Sequence, residues 1–540
     1  MEKQRSRFCL IINLLILLVV LEAFNELIQK TKNMNTHKST LSSLTVILGF
    51  TYLFFSCSEK PTVSTFQQEI DAFIEKNMKE LHIPAVSYAV MQNGEYISSG
   101  VYGLAEVELN APANEHTLFN VGSVGKTFTA TAIMVLEEDG KLSIKDPIEK
   151  HLEGIPDSWD NITIEHLLNH TSGIKDYVDD HGGYTLLPNI DRAVELTPEQ
   201  YIEMCTTNSI NFPTGTRFAY SNSNYALLGF IIRKHIDTSM DEFMRKRVFE
   251  PAGMTDTRYE SAKELRPNRA KGYHKDSTGI LNGDLISDFY STIGDCGILT
   301  SGKDLAKWGP ALANGKVISK TQVEKMWTKH QLNDGKLSQE DDRIYGLGWR
   351  VDDVLGGPEF GHNGSFRKGY LGFYRYYPEH DLSIAIMMNQ WSEMRKSFLF
   401  FGSLAQRFLP DELKFSGRQP IEGELADQWK EKIKTFGTLL SENGDLSPIV
   451  EQVYADIIAD EYADFSKKWG ENIVAAERHF LGEWVVSQKN IIKHWQKVQK
   501  IGLFREFYPE SSEDMEEYMT VYLSEAGKIL GVSDKYLKKE

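Results

Sequence analysis

Strand-like residues cluster at the two ends of one long stretch of this chain, and helix-like residues fill its middle. At the near end, "AVSYAVMQNGEYISSGVYG" gives two strand-like runs around Asn93-Gly94, a dipeptide that accepts the positive φ angles of a tight hairpin. At the far end come "YGLGWRV", "FGHNGSFRKGYLGFYRYYP" and "LSIAIMMNQ". Residues from about 124 to 340 read mostly as helix and loop. Ahead of the hairpin, Phe66, Ile70, Phe73 and Ile74 recur on one face of a helix that starts at Thr65 and ends near His82. A helix followed by an antiparallel hairpin points to an α+β fold rather than a doubly wound sheet. The expectation is an antiparallel sheet assembled from both ends of one domain, with a helical insert between them.

The bulk composition narrows the function classes. With 41% hydrophobic and 25% charged residues, a chain of 540 residues can bury a large core. The net charge of -17 argues against a nucleic-acid surface, which needs clustered Lys and Arg. Four cysteines, Cys9, Cys57, Cys205 and Cys296, show no C-x-x-C spacing, so neither a disulfide framework nor a zinc site is expected. Cys205 and Cys296 read as buried thiols. After about Pro410, Lys and Glu become frequent, and Trp429, Ile433, Phe436 and Leu440 recur at helical spacing. The expected organisation is an N-terminal region over 1–60, a main domain over 61–410 and a helical C-terminal domain over 411–540.

Two apolar runs open the chain. "FCLIINLLILLVVL" follows Lys3, Arg5 and Arg7 and falls short of the ~20 apolar residues of a membrane span. It suits a signal h-region or a signal anchor. A second run, "MNTHKSTLSSLTVILGFTYLFFSCSEK", begins at Met34 and resembles a bacterial lipoprotein signal with Cys57 as the lipidated residue. Phe54 and Phe55 are bulkier than such signals usually carry, and a plain thiol beyond a signal anchor is the other reading of Cys57. Met34 is an alternative start to Met1. Either reading exports the bulk of the chain to the bacterial cell envelope, periplasmic side or outer membrane, held to the membrane by the anchor or the lipid.

The stretch "FNVGSVGKTF" carries the candidate chemistry. Ser-x-x-Lys occurs at Ser123, Ser172 and Ser365, but only Ser123 opens a clear helix, on which Phe128, Ala132, Val135 and Leu136 repeat before Gly140 closes it. Positions i and i+3 share a helix face, so Lys126 Nζ can reach Ser123 Oγ. The helix N-terminus favours negative charge on the serine oxygen and on a reacting carbonyl. A burial-depressed pKa would let Lys126 accept a proton near neutral pH. Alone, the same pattern also describes an exposed lysine on a helix that begins with serine.

Two further stretches follow in order: Tyr220-Ser221-Asn222 within "FAYSNSNYALLG", and His362-Asn363-Gly364 within "FGHNGSF". Together the three motifs resemble the penicillin-recognising serine hydrolases, which include β-lactamases, D,D-peptidases and esterases. Tyr-Ser-Asn is similar to the class C β-lactamase and D,D-carboxypeptidase branch. "ITIEHLLNHTSGI" and "GDCGILTSGKDLAKW" resemble that superfamily's intervening segments, although Cys296 stands where Gly or Ala is usual. The resemblance covers roughly residues 65 to 405.

It implies the β-lactamase/transpeptidase-like fold and an acyl-enzyme on Ser123, formed from an amide or ester: a D-amino peptide, a β-lactam or a small ester. Lys126 and Tyr220 would share the proton work, because an ammonium beside the tyrosine would favour its phenolate. Asn222 would bind the substrate or the lysine. The backbone N–H groups of Ser123 and Ser365 would form the oxyanion hole, and Gly364 would let substrate backbone lie along the strand. No cofactor or metal is implied; the substrate is the expected partner. His362 departs from the lysine of a Lys-Thr-Gly strand, and a largely neutral imidazole implies weaker recognition of a β-lactam carboxylate. Arg367 either restores that charge or is a solvated strand residue. His166 and His170 lie four apart with no third ligand, and read as capping and turn residues. The competing reading is a non-catalytic binding or scaffold protein that keeps the fold. The oligomeric state is not legible.

Overall fold

A computed structural model of the chain describes residues 65–538, apart from 178–196, 207–209, 262–263, 277–278, 283–293, 341–342, 355–356, 367–368, 392, 412, 415–423, 443–444, 449, 451–476, 486–497, 508–514 and 525–528. Both N-terminal apolar runs, Cys57 and Arg367 therefore lie outside the described residues. By contacts the chain divides into Met1–Gln68 and Glu69–Glu540, and the described residues of the first are those of the opening turn of helix α1. Among the described residues no helix is long and apolar enough to cross a membrane.

The central sheet is built from both ends, as expected. Helix α1 (Thr65–Leu81) leads into β1 (Ala85–Gln92), β2 (Glu95–Glu106) and β3 (Ala111–Pro112). The β1–β2 turn has φ of 51° at Asn93 and 81° at Gly94, the double positive geometry that matches hairpin twist. The remaining strands arrive much later: β4 (Arg350–Val354), β5 (Gly357–Phe366), β6 (Tyr370–Tyr377) and β7 (Leu382–Met388). All seven form one antiparallel sheet in the order β4-β5-β6-β7-β1-β2-β3. The join between the two ends is β1 on β7, with Tyr88 opposite Ile386.

Alternation along these strands decides which layer each residue enters. Val86, Tyr88, Val90, Ile384, Ile386 and Met388 face one side, where α1 supplies Ile70 and Ile74, and helix α4 (Met394–Gln406) supplies Phe400, Phe401 and Leu404. Ala85, Ala89, Ala385 and Met387 face the other side and join the insert's core, which holds Phe128, Leu228 and Trp308. Small residues on that inner face leave room for the insert's helices to lie close to the sheet. Helices α2 (Gly125–Glu138) and α3 (Asn222–Lys234) are the two that carry site residues.

The C-terminal region departs from expectation. Helix α5 (Glu424–Ser441) buries Trp429, Ile433, Phe436 and Leu440 as their spacing predicts. Beyond it the described residues form no further helix: β8 (Glu477–Val485), β9 (Val498–Phe507), β10 (Met515–Ser524) and β11 (Ile529–Lys538) form a four-stranded antiparallel meander. The expected helical domain over 411–540 is thus a helix followed by a sheet. Its Lys and Glu mask runs rich in aromatic and β-branched residues such as "HFLGEWV" and "YMTVYL", which favour strands. Gly482, Gly502 and Gly531 also weigh against helix. Strand β11 packs against α4.

Candidate active site

Ser123 sits in a single 3-10 turn, Gly122–Val124, that runs directly into α2. Two glycines allow β5 to cross this turn. A Cβ on Gly364 would stand 1.8 Å from Val121 O, and one on Gly122 would stand 2.8 Å from Ser365 N. Gly122 also holds φ of 51°, a value that costs other residues energy. The backbones of the nucleophile turn and of β5 therefore touch, which brings Ser123 and Ser365 to one place. Strand β4 pairs with β5 only over Gly357–Gly361, so Asn363 to Ser365 have no strand on that side among the described residues.

Lys126 is fully buried, and its Nζ donates to Ser123 Oγ (3.1 Å), Asn222 Oδ1 (2.8 Å) and the Asp295 carbonyl (3.1 Å). An ammonium has three N–H donors, and all three are satisfied. A neutral amine could satisfy only two of these acceptors. Burial opposes the charge, but the Tyr220 oxygen and the Asp295 carboxylate beside it more than offset that, and the pKa is raised above the usual lysine value. This corrects the expected depression. Burial was the legible part; the acceptors come from segments remote in sequence. The Tyr220 ring stands with its centroid 5.0 Å from Nζ.

Asn222 opens α3, and its amide orientation follows from its partners. Nδ2 donates to Asp176 Oδ2 (2.9 Å) and its backbone N–H donates to Asp176 Oδ1 (3.1 Å), so Oδ1 must face the lysine. Asp176 thus clamps a helix start and a site amide together.

His362 is buried with both ring nitrogens engaged. Nδ1 meets the Asn363 carbonyl at 2.6 Å, so it carries the proton, and Nε2 accepts from Tyr345 Oη at 2.9 Å. Burial first, then Arg350 and Lys126, holds its pKa well below the usual histidine value. The ring lies 6.1 Å from that of Tyr220, so His362 supports the site from beneath rather than presenting a nitrogen to a ligand. His170 does similar work. It accepts from the Ser221 N–H at Nδ1 (3.1 Å) and packs at 4.4 Å from Tyr220 and 4.8 Å from Tyr345. Burial and the Lys126 charge keep it neutral too. His166 caps its own helix through Thr163, in agreement with the capping assignment. Among the described residues no group of three or more His, Cys, Asp or Glu is placed to hold a metal ion.

Two buried neutral histidines have a stability consequence. Between the unfolded value near 6.5 and their lower folded values, the unfolded chain binds protons that the native chain does not. Stability present above pH 6.5 is therefore lost as pH falls, by about 1.4 kcal/mol per pH unit for each histidine. Urea unfolding at steps from pH 7 to 5 should show an uptake of at least two protons. An uptake below one would mean that these rings are charged in the native state.

Ser123, Lys126, Tyr220, Asn222, His362, Gly364 and Ser365 are all brought to one site. Sequence reasoning missed Asp176, Asp295, Tyr345 and the role of His170. All four lie in or beside stretches already quoted, "HTSGI" and "GDCG" for their resemblance and "YGLGW" as a strand-like run, but no local pattern marks an acid that acts through a backbone carbonyl or clamps an amide.

A serine held by a buried, charged lysine at a helix start, with a strand edge across it, defines a nucleophilic acyl-transfer site. The chain belongs to the Beta-lactamase family, a family of serine hydrolases, whose model matches residues 70–398. It is 29% identical over 397 residues to penicillin-binding protein 4* of Bacillus subtilis, covering 68% of this chain and 82% of that one. It is 31% identical over 255 residues to PbpX of the same organism, covering 47% of this chain but only 61% of that one, less than two thirds of its length. Among solved structures, the octameric penicillin-binding protein homologue from Pyrococcus abyssi superposes with a TM-score of 0.54 at 25% identity, over 87% of this chain and 96% of that one. That share is wider than the family match and so extends beyond it.

Proposed function

We propose that this chain is an exported serine hydrolase that works through a Ser123 acyl-enzyme on an amide or ester, with a D-amino peptide, a β-lactam or a small ester as substrate. The observation that carries the reading is the saturated Lys126 ammonium donating to Ser123 Oγ. A cation there stabilises negative charge on the serine oxygen as it attacks. With its three N–H groups occupied, Lys126 serves as the electrostatic partner, and Tyr220 takes the serine proton and returns it to the leaving group. The N–H groups of Ser123 and Ser365 receive the carbonyl oxygen. Penicillin-binding names among the relatives support D-amino peptides and β-lactams; the engaged, neutral His362 supports substrates that need no cation at that position. Export and membrane attachment rest on the two N-terminal runs and Cys57.

Intact-mass spectrometry of the full chain in detergent, with a penicillin, an aryl ester and a D-Ala-D-Ala peptide, tests the reading. A covalent mass gain or steady consumption of at least one compound is expected. Neither, from correctly folded protein, would favour the non-catalytic reading.

A further inference from the structure

The outer side of the β5 edge carries groups that the acylation chemistry does not use. Ser365 Oγ accepts from the indole Nε1–H of Trp391 at 2.7 Å and lies 3.3 Å from the sulfur of Met394. Its backbone meanwhile touches the nucleophile turn at Gly122. One residue therefore links the reacting serine's turn to an indole and a thioether. Trp391 is partly buried, and Met394 remains 41% exposed. A large apolar side chain left in water beside a nucleophile gains free energy when an apolar group covers it.

Both groups stand on fixed supports. The short strand Gln390–Trp391 pairs in parallel with Tyr273–Asp276, and the Trp391 ring packs 5.6 Å from His274. Met394 begins α4, directly after Glu393, whose φ of 45° is unfavourable for a residue with a side chain. Ion pairs from Glu393 to Lys275 (3.4 Å) and Lys396 (2.5 Å) hold that residue in place. The Glu393 carboxylate offsets part of the positive charge of these two lysines. A thioether adapts its shape to alkyl and aryl groups alike, and the indole offers a flat face.

We propose that Trp391 and Met394 form an apolar subsite that takes an alkyl or aryl substituent of the substrate beside the carbonyl that Ser123 attacks. This rests on the acyl-enzyme reading above and adds a substrate preference to it: an acyl or leaving group with an apolar arm.

The test uses the full chain and two ester series. One is p-nitrophenyl acetate, butyrate, hexanoate and octanoate; the other keeps the acetyl group and lengthens the leaving alcohol. In one series or the other, kcat/KM should rise about fourfold per methylene over the first carbons, mainly through KM. Met394→Gln keeps the side-chain length but makes its end polar. It should reduce the slope to less than twofold per methylene. Trp391→Phe, which removes the bond to Ser365, should lower turnover of short and long esters together. Flat slopes in both series, or a slope that Met394→Gln does not alter, would overturn the subsite while leaving the acyl-enzyme intact. No turnover of any ester and no covalent adduct would overturn both readings at once.

Discussion

Ser123→Ala takes up no acyl mass from any compound that labels the wild-type chain, and its melting temperature stays within a few degrees of wild type. The substitution removes the only atom on the nucleophile turn that can bond covalently to an acyl carbon, so the loss extends to the detection limit. The fold is little affected, because the Ser123 hydroxyl contributes one hydrogen bond to Lys126 and no apolar packing. Leaving one lysine N–H without its partner costs about 1–3 kcal/mol. The glycine crossing at Gly122 and Gly364 involves backbone only and is untouched. Retention of more than about one per cent of the acylation rate, far above what a site without a nucleophile can supply, would put the nucleophile elsewhere.

Replacing Lys126 by Met should slow acylation by ~100- to 1,000-fold, the usual range for a lost donor that stabilises charge on a reacting oxygen. Tyr220→Phe, which removes the proton-transfer group, should slow it by ~100- to 10,000-fold; it keeps the ring packing against His170 but loses the oxygen that supports the Lys126 charge. The two effects should not add, because the Lys126 charge favours the same proton transfer that Tyr220 carries out. The pH profile separates them from a general disturbance of the site. Lys126 is held charged to a pH above its ordinary 10.5, so the wild-type rate should stay level through neutral pH and fall only on the alkaline side of that value. Its contribution to stability has the same sign: fully present below the unfolded pKa, lost as pH rises through the higher folded one. Stopped-flow acylation between pH 6 and 11 measures this. A rate that instead climbs with pH through an acid limb near pH 7 would mean that Lys126 is the neutral base after all. Wild-type speed in Tyr220→Phe would leave Tyr220 as a wall of the site.

Much of this was readable from local pattern. Asn93-Gly94 determines a hairpin because few residues accept positive φ, and it does so whatever surrounds it. The 3.6-residue period that buries Phe128, Ala132 and Leu136 also places Ser123 and Lys126 on one face, three residues apart. Those statements need only near neighbours in the chain. The strands at both ends of the domain were legible for the same reason.

The remainder depended on partners distant in sequence. Whether Lys126 is an acid or a base turns on Asn222 and the Asp295 carbonyl, and those acceptors arrive only when α3 and the "GDCG" segment fold against α2. His362 reads as a substrate contact until Tyr345 and the Asn363 carbonyl occupy its nitrogens. The C-terminal strands went unread because interleaved Lys and Glu suit an exposed helix face as well as a sheet, and the successive pairing of β8, β9, β10 and β11 decides which forms. Sequence by itself determined most elements of the main domain, the placing of Ser123 and Lys126 on one helix face and the order of the motifs, since backbone preference and side-chain period act over a few residues. Only the tertiary structure decided protonation and which side chains face substrate, because Coulomb and hydrogen-bond energies act over a few ångströms between groups that the chain order keeps far apart.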